Sequence, residues 1–428
     1  MSRTTTPEFL HTLTQHELLH TNVEGSFANE TYRERMPKLI CETAEYNKSR
    51  FTPQEYDGLL QLAHDLSTDA RVPMPSEFAD ASLSPMTQHW TTLLQGKNYT
   101  WQNAPWFMTE QYMFQLVLLI SGYYRTGIDP FHPSKLVELR GPAPWNLLQN
   151  ALLVGSASTS SCNSATRHAC LKELLKICLW GNKADGCYTS VKDTVSGADA
   201  TLAIDDKYLL ADDSDKIAAF LEQLGGRENA NEDMKSVSVQ YINDNSGTEL
   251  LLDLMLADHL ITHEFCHSVT FNVKAEPIYV SDATLADVLE HIDAMQSVSQ
   301  PQEIQKLGKR LAGFVESNRV VIESDLFWSH YSYYYEMPEE LASRLNKEAA
   351  LVIVKGDLNY RRLLGDRMWP ATTPVATAIP YFPTAVVALR TLKANPIVGI
   401  PADTEQRLER EDPHWRYNGK YGVIQSVL

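Results

Sequence analysis

Basic residues are scarce. Against 54 Asp and Glu the chain sets only 37 Lys and Arg, a net charge of −17 over 428 residues. That deficit excludes a general nucleic-acid binder, which carries a basic stripe. It also means that an anionic substrate needs local help from Lys, Arg, a helix N-terminus or a metal ion. Long hydrophobic runs are missing as well. The most apolar stretch, "FQLVLLISGYY" (114–124), is far short of a membrane span, and "MSRTTTPEFLHTLTQHELL" at the start has no signal-peptide core. A cytoplasmic location is therefore expected, with the nucleus as a second compartment, and no membrane partner. Six cysteines (Cys41, Cys162, Cys170, Cys178, Cys187 and Cys266) form no C-x-x-C pair. They read as thiols of a reducing compartment, without disulfides.

Several signatures of common chemistries are absent too. There is no G-x-x-x-x-G-K-[ST], so no P-loop hydrolase is indicated, and no G-x-G-x-x-G after a strand to indicate a dinucleotide enzyme. No G-x-S-x-G elbow is present. "VSDAT" lacks the second Asp of a D-x-D phosphotransfer motif. Neither repeats nor low-complexity tracts occur.

What remains is an ordinary globular composition, 43% hydrophobic and 21% charged, long enough for more than one domain. Residues 1–190 read as helical. "TPQEYDGLLQLAHDLSTDA" opens on a Thr cap with Pro behind it. "APWFMTEQYMFQLVLLISGYY", "NLLQNALLVGSAS" and "SATRHACLKELLKICLWGNKAD" read as further helices, the last stopping near Gly181. Residues 191–235 read as a connector and a helix, with 184–212 a loop and "RENANEDMK" (227–235) a polar link. From 236 to 428 apolar strands alternate with helices: "SVSVQYIND", "SVTFNVK", "PIYVSD", "ALVIVKGD" and "TAVVALRTLK". This pattern indicates an α/β domain with a mainly parallel sheet. The tyrosine-rich "SHYSYYYEMPEE" reads as an exposed irregular loop with some core aromatics, with a lid over the site or a partner surface as the alternative.

Three of these strands end in a carboxylate: Asp244, Asp282 and Asp357. In open α/β sheets the ligand crevice lies beyond the carboxyl ends of the strands, so these side chains converge there. Asp244 and Asp282 with the Asn245 amide oxygen are hard oxygen donors of the kind that suit Mg²⁺ or Mn²⁺. The joints "DNSG" and "KGDLN" also begin helices, whose free N–H groups favour anions. Lys355, Arg361 and Lys393 put positive charge near the strand ends. Carboxylates for a metal beside cations for a phosphate are what metal-assisted phosphoryl hydrolysis requires. For any one Asp alone, helix capping is the simpler explanation.

A louder motif, "HEFCH" (263–267), matches the helical zinc-protease signature H-E-x-x-H, with His259 one turn earlier. Three points set it aside. It falls at the end of its helix, no third ligand follows at protease spacing, and the stripe continues back through Leu252 and Leu256 as an apolar face. At 1.5 Å per residue it also lies roughly 28 Å from Asp244.

"DNSGTELLLDLMLADHLI", "PIYVSDAT", "KGDLNYRRLLGDRMWPATTP", "ALRTLKANPIVGI" and "NGKYGVIQ", with "YRERMPKLI", "GPAPWNLLQNALL" and "LWGNKAD" before them, resemble the damage-control phosphatase family. That family was formerly a domain of unknown function, and the branch resembled was also named acidic-residue or protein-glutamate O-methyltransferase. The resemblance implies a helical N-terminal region on a Rossmann-like α/β domain with helices on both faces. It implies one divalent metal ion (Mn²⁺, Mg²⁺, Co²⁺ or Ni²⁺) and small sugar phosphates of the fructose 1-phosphate and fructose 6-phosphate class as substrates. Asp244, Asn245 and Asp282 map onto its metal ligands. Glu249 completes its D-N-x-G-x-E pattern. Lys355 to Arg361, taking in Asp357, Leu358, Asn359 and Tyr360, map onto a substrate loop, and Lys393 onto a phosphate or substrate contact. Thr248 stands where many relatives have an aromatic. S-adenosylmethionine-dependent carboxyl methylation and a non-catalytic sugar-phosphate sensor are the competing expectations, the first opposed by the lack of a glycine-rich cofactor loop.

Overall fold

Runs of β-branched and aromatic residues supply the frame. In the computed structural model, which describes residues 5–157, 164–181, 206–226 and 237–428, seven strands form one sheet: β1 (Leu209–Asp212), β2 (Ser238–Ile242), β3 (Ser268–Lys274), β4 (Val320–Asp325), β5 (Ala349–Lys355), β6 (Val386–Thr391) and β7 (Gly422–Val427). Their order is β1-β7-β6-β5-β2-β3-β4. All pairs are parallel except β6 with β7. Cys162, Cys187, residues 227–235 and most of 184–212 lie outside the described residues. Cys41, Cys170, Cys178 and Cys266 are free thiols.

Successive strand residues point to opposite faces, and each face has its own core. Val239, Tyr241, Val269, Phe271, Leu351, Ile353, Val387 and Leu389 belong to one cluster. Ile242, Val352, Val354, Val386, Ala388 and Val423 belong to the other. The first face is covered by five helices that matter below: α1 (His132–Arg140) and α2 (Pro142–Ala157) at its rim, then α3 (Ser164–Gly181), α4 (Thr248–Thr262) and α5 (Leu285–Gln296). The opposite face carries α6 (Gly356–Leu364) with Trp328, Trp369 and Phe382. The sheet is thus α/β with helices on both faces, a Rossmann-like arrangement. A third core, built on Tyr32, Ile40, Leu59, Trp90, Trp101, Met113 and Val117, holds the N-terminal helices Met36–Tyr46, Pro53–Ser67 and Trp106–Ile120 together. Among the described residues no helix is long and apolar enough to cross a membrane.

Three departures from expectation have physical reasons. "PIYVSD" is a turn, not a strand: Tyr279 and Val280 take φ +52° and +64°, a genuine outlier for a β-branched residue. Ile278 is buried in the N-terminal core, with Tyr279 and Val280 packed against it, so the alternation that mimics a strand instead plugs one helical layer onto the sheet's end. β1, β4 and β7 were not anticipated. β1 has four residues and β4 carries Glu323, Ser324 and Asp325 on a half-exposed edge, too little apolar pattern to read. The tyrosine-rich stretch is irregular with core aromatics, as expected, but less exposed than expected: Glu336, Pro338, Glu339 and Glu340 are exposed, Tyr333 and Tyr334 are buried, and the Tyr334 hydroxyl donates to Asn359 Oδ1 at 2.6 Å.

Candidate active site

Reading β4-β3-β2-β5-β6 across the sheet, the sequence order reverses between β2 and β5. That is the topological switch point, where open α/β sheets bind ligands. The turn after β2 carries Asp244 and Asn245, Gly356 and Asp357 open α6 directly after β5, and Lys393 follows β6. Asp282 reaches the same place by backbone pairing. The Ala283 N–H donates to the Asp244 carbonyl at 2.8 Å and the Ser246 N–H to the Ser281 carbonyl at 2.7 Å, closing a bridge between Asn245 and Asp282. A strained turn, rather than a strand end, therefore delivers the second carboxylate.

Gly356 makes the approach of β2 and β5 possible. Its φ is +83°, and a Cβ there would stand 1.8 Å from Asp244 Oδ2. Only glycine leaves that cradle open for the carboxylate. Gly247 is similar in conformation, φ +71°, but its missing Cβ makes room for the Glu138 carboxylate. Glu138 Oε1 accepts from both the Thr248 N–H (2.8 Å) and its hydroxyl (2.7 Å). The Gly247 N–H donates to His291 Nε2 at 2.8 Å, while His291 Nδ1–H donates to the Asp287 carbonyl at 2.7 Å. Side chains of α1 and α5 thus cap the N-terminus of α4. The anion that this helix end favours is thus the protein's own Glu138 carboxylate and not a substrate group.

A cleft of about 600 Å³, its open mouth included, lies over the strand ends. Its floor is Asp244, Asn245, Asp282, Asp357, Leu358, Arg361 and Lys393; its opposite wall is Arg35, Met36, Leu39, Trp106, Glu110 and Phe114 from the N-terminal helices, with Tyr279 between. Asp357 Oδ1 accepts from Arg390 Nε (2.7 Å) and from the Lys393 N–H (2.9 Å), tying the β5 and β6 ends together. Arg361 is braced by Asp366 and Glu110, each at 2.7 Å, and its guanidinium stacks 3.9 Å from the Trp106 ring.

Four other expected site residues face away from the cleft. Lys355 is fully buried beneath the floor, its ammonium 2.9 Å from Asp253 and 3.3 Å from Glu249, donating to the Cys178 carbonyl at 2.8 Å. Glu249 lies between Lys355 and Asn245. Asn359 donates to the Asn243 and Lys355 carbonyls, and Tyr360 to Gln425 Oε1 at 2.7 Å. They brace β2, β5 and β7 instead of lining the cleft.

The electrostatics fit a dication. Burial, then Glu249 and Asp282, push the Asp244 carboxyl well above the ordinary carboxylate range, because like charges converge in a desolvated site. Lys274, the last residue of β3, is buried 3.3 Å from Asp282 Oδ2. Burial lowers its ammonium, opposed by Asp282 and Asp244. Lys393 and Lys274 oppose the rise at Asp244 without reversing it. Two carboxylates and a carboxamide oxygen form a hard donor set, and the Gly356 cradle keeps Asp244 in it. Among the described residues, no group of three or more His, Cys, Asp and Glu side chains is placed to hold a metal; this candidate has two such residues plus an amide. Lys274, Arg35, Trp106 and Glu110 escaped sequence reasoning. Only Lys274 left a signal, as a charge closing the apolar run "SVTFNVK".

"HEFCH" is not such a centre. α4 stops at Thr262, His263 is its C-cap and Glu264 takes φ +59°, so His263 and His267 do not share a helix face. Arg167 donates to the His263 carbonyl at 2.7 Å. Burial, with His263 and Arg167, lowers His259 to about 3.

Residues 30–408 match the model of the damage-control phosphatase ARMT1-like domain. The chain is 29% identical over 433 residues to damage-control phosphatase ARMT1 of Xenopus tropicalis, covering 95% of this chain and 98% of that one. It is 28% identical over 433 residues to damage-control phosphatase ARMT1 of Homo sapiens, covering 94% and 96%. Among solved structures, a duf89 family protein from Pyrococcus horikoshii aligns over 99% of both chains, with a TM-score of 0.44 and 16% identity.

Proposed function

The chain belongs to the ARMT1-like damage-control phosphatase family, and from that premise we propose that it is a divalent-metal-dependent phosphatase of small sugar phosphates, the fructose 1-phosphate and fructose 6-phosphate class. The observation that carries the reading is the convergence of Asp244, Asn245 and Asp282 at the switch point, in a cleft that Lys393 also lines. In this reading those three residues hold one ion (Mn²⁺, Mg²⁺, Co²⁺ or Ni²⁺). Bound there, the ion neutralises phosphoryl oxygens and acidifies water.

The chain's own groups do the rest. Lys393 neutralises a phosphoryl oxygen, its backbone fixed by Asp357 Oδ1. That oxygen is taken, so Asp357 Oδ2 orients the attacking water; Glu249, outside the cleft, does not. Arg361, held flat on Trp106 by two carboxylates, gives the sugar a rigid polar wall at little ordering cost. Arg35 and Glu110 face it from the helical side and bound the size of the substrate.

A panel of sugar phosphates and other phosphometabolites, each with Mg²⁺, Mn²⁺, Co²⁺ and Ni²⁺, tests the reading. Phosphate release should appear with a hexose phosphate in at least one metal, and Asp244→Ala should abolish it while the fold persists. No release in any metal, or full activity in folded D244A, would show the assignment to be wrong.

A further inference from the structure

The residues under the cleft floor form a chain of contacts that ends on one amide. Asn245 Nδ2 donates to Asp244 Oδ2 and to Glu249 Oε2, both at 2.9 Å. The Ser281 hydroxyl donates to Asn245 Oδ1 at 2.7 Å. A reversed amide would set its oxygen against two carboxylates, so these contacts fix which end is which. Glu249 in turn is 1% exposed and holds its other oxygen, Oε1, 3.3 Å from the Lys355 ammonium. Lys355 is anchored from below by Asp253 and the Cys178 carbonyl. The ranks are therefore Asp253, Lys355, Glu249, Asn245.

Resting on the metal reading above, we infer that Glu249 and Lys355 are positioning residues for Asn245, which keep its amide oxygen, and not its NH₂, available to the ion. Neither touches substrate. The geometry makes a specific demand. Glu249 faces a donor on each side, the Asn245 NH₂ and the Lys355 ammonium, so two acceptor atoms are needed. A glutamine at this position has only one, and whichever way it turns its NH₂ opposes a donor. Turned toward Asn245, it drives that amide to flip and present NH₂ to the ion. Partners that orient a metal ligand characteristically contribute 10- to 100-fold in metal affinity.

The test is Mn²⁺ binding without substrate, read from the electron paramagnetic resonance of free Mn²⁺, with urea unfolding of the metal-free proteins alongside. Glu249→Gln should weaken Mn²⁺ binding by roughly 10- to 100-fold. Asn245→Asp alone sets a new carboxylate against both Glu249 and Asp244 Oδ2 and should also weaken it. Combining the two substitutions exchanges donor and acceptor at the contact between positions 245 and 249, and leaves the opposition to Asp244 in both N245D proteins alike. The introduced glutamine donates its NH₂ to the introduced carboxylate, and its carbonyl oxygen accepts from Lys355. In the N245D background E249Q should therefore strengthen Mn²⁺ binding, reversing its sign. If E249Q alone does not fold, the comparison of N245D with N245D/E249Q still decides. A merely structural Glu249 predicts the same loss, or none, in both backgrounds, and that result overturns the inference. Wild-type protein that binds no Mn²⁺ would instead remove the metal reading, and this inference with it.

Discussion

Gly356→Ala should disable the site more than it unfolds the protein. Two effects separate in magnitude. The backbone term is ordinary: alanine at φ +83° costs about 1–2 kcal/mol for its left-handed conformation. The contact term is not. Asp244 Oδ2, Cγ and Cβ lie 1.8, 2.1 and 2.7 Å from the new Cβ, and real Cβ contacts essentially never fall below 3.0 Å. Asp244 is buried and shares Oδ2 with the Asn245 amide, so it can retreat only by leaving its place opposite Asp282. A displacement of about 1 Å at a reacting centre costs on the order of 10²-fold in rate. kcat/KM for phosphate release should fall at least that far, and Mn²⁺ affinity should fall with it. Gly365→Ala is the control. It has a similar φ, +67°, but its Cβ meets only Tyr335 and Leu13 side chains, at 3.0 and 3.2 Å. It should lose about 1–2 kcal/mol in urea unfolding and keep its kcat/KM. Folded G356A with wild-type turnover and Mn²⁺ binding would show that Asp244 does not need its place against β5, and would refute the reasoning.

Lys355→Met should act first on stability. It leaves Glu249 and Asp253 buried without their cation, a loss of about 3–5 kcal/mol that urea titration would register; a loss under about 1 kcal/mol, the range of an exposed pair, would mean that the triad is not a structural keystone. Lys393→Ala should do the opposite, cutting kcat/KM with Mn²⁺ binding kept, and wild-type kcat/KM in that variant would remove Lys393 from the phosphate site. His259 sets a pH dependence. It is held down to about 3 by burial, then by His263 and Arg167, so between that value and the ordinary 6.5 the unfolded chain binds a proton that the folded chain does not. Stability then rises with pH across this window, is whole above it, and by about pH 5 is lower by about 2 kcal/mol from this group. His259→Leu should flatten that slope between about pH 7 and 5; an unchanged slope would show that another group carries it.

The central strands were legible because burial on both faces leaves a β-branched, mostly apolar signature, broken only by buried polar residues such as Gln240 and Asn272. "SVQYI", "SVTFNVK", "ALVIVK" and "VVALR" all lie on or beside the switch point. Edges carry less. β4 mixes Glu and Asp into a half-exposed strand, and β1 is only four residues. Strand order was not legible, since a periodicity says which face a residue takes and nothing about which strand lies beside it. "PIYVSD" misled for a different reason. Its alternation is real, but Ile278 serves the packing of a separate helical layer, and local pattern does not reveal which surface a side chain packs against.

The same limit explains the site. Asp244, Asn245 and Asp357 were found because the carboxyl ends of parallel strands all point one way, so polar residues there share a crevice whatever the strand order; Asp282 was found by the same rule although a turn delivers it, and Arg361 and Lys393 lie further along, on α6 and after β6. Lys355 obeys that rule too, yet its ammonium turns under the sheet to Asp253 and Glu249. Spacing fixes where a Cα lies; the direction of a long side chain depends on which buried charge awaits it. Asp253, one turn beyond Glu249 on α4, was that charge, and it stood in plain view as the lone acid in "LLLDLMLA". An isolated carboxylate in a wholly buried helix requires a cation nearby. Lys355, at the end of the neighbouring strand β5, is that cation, so its role was set by a residue the motif does not include.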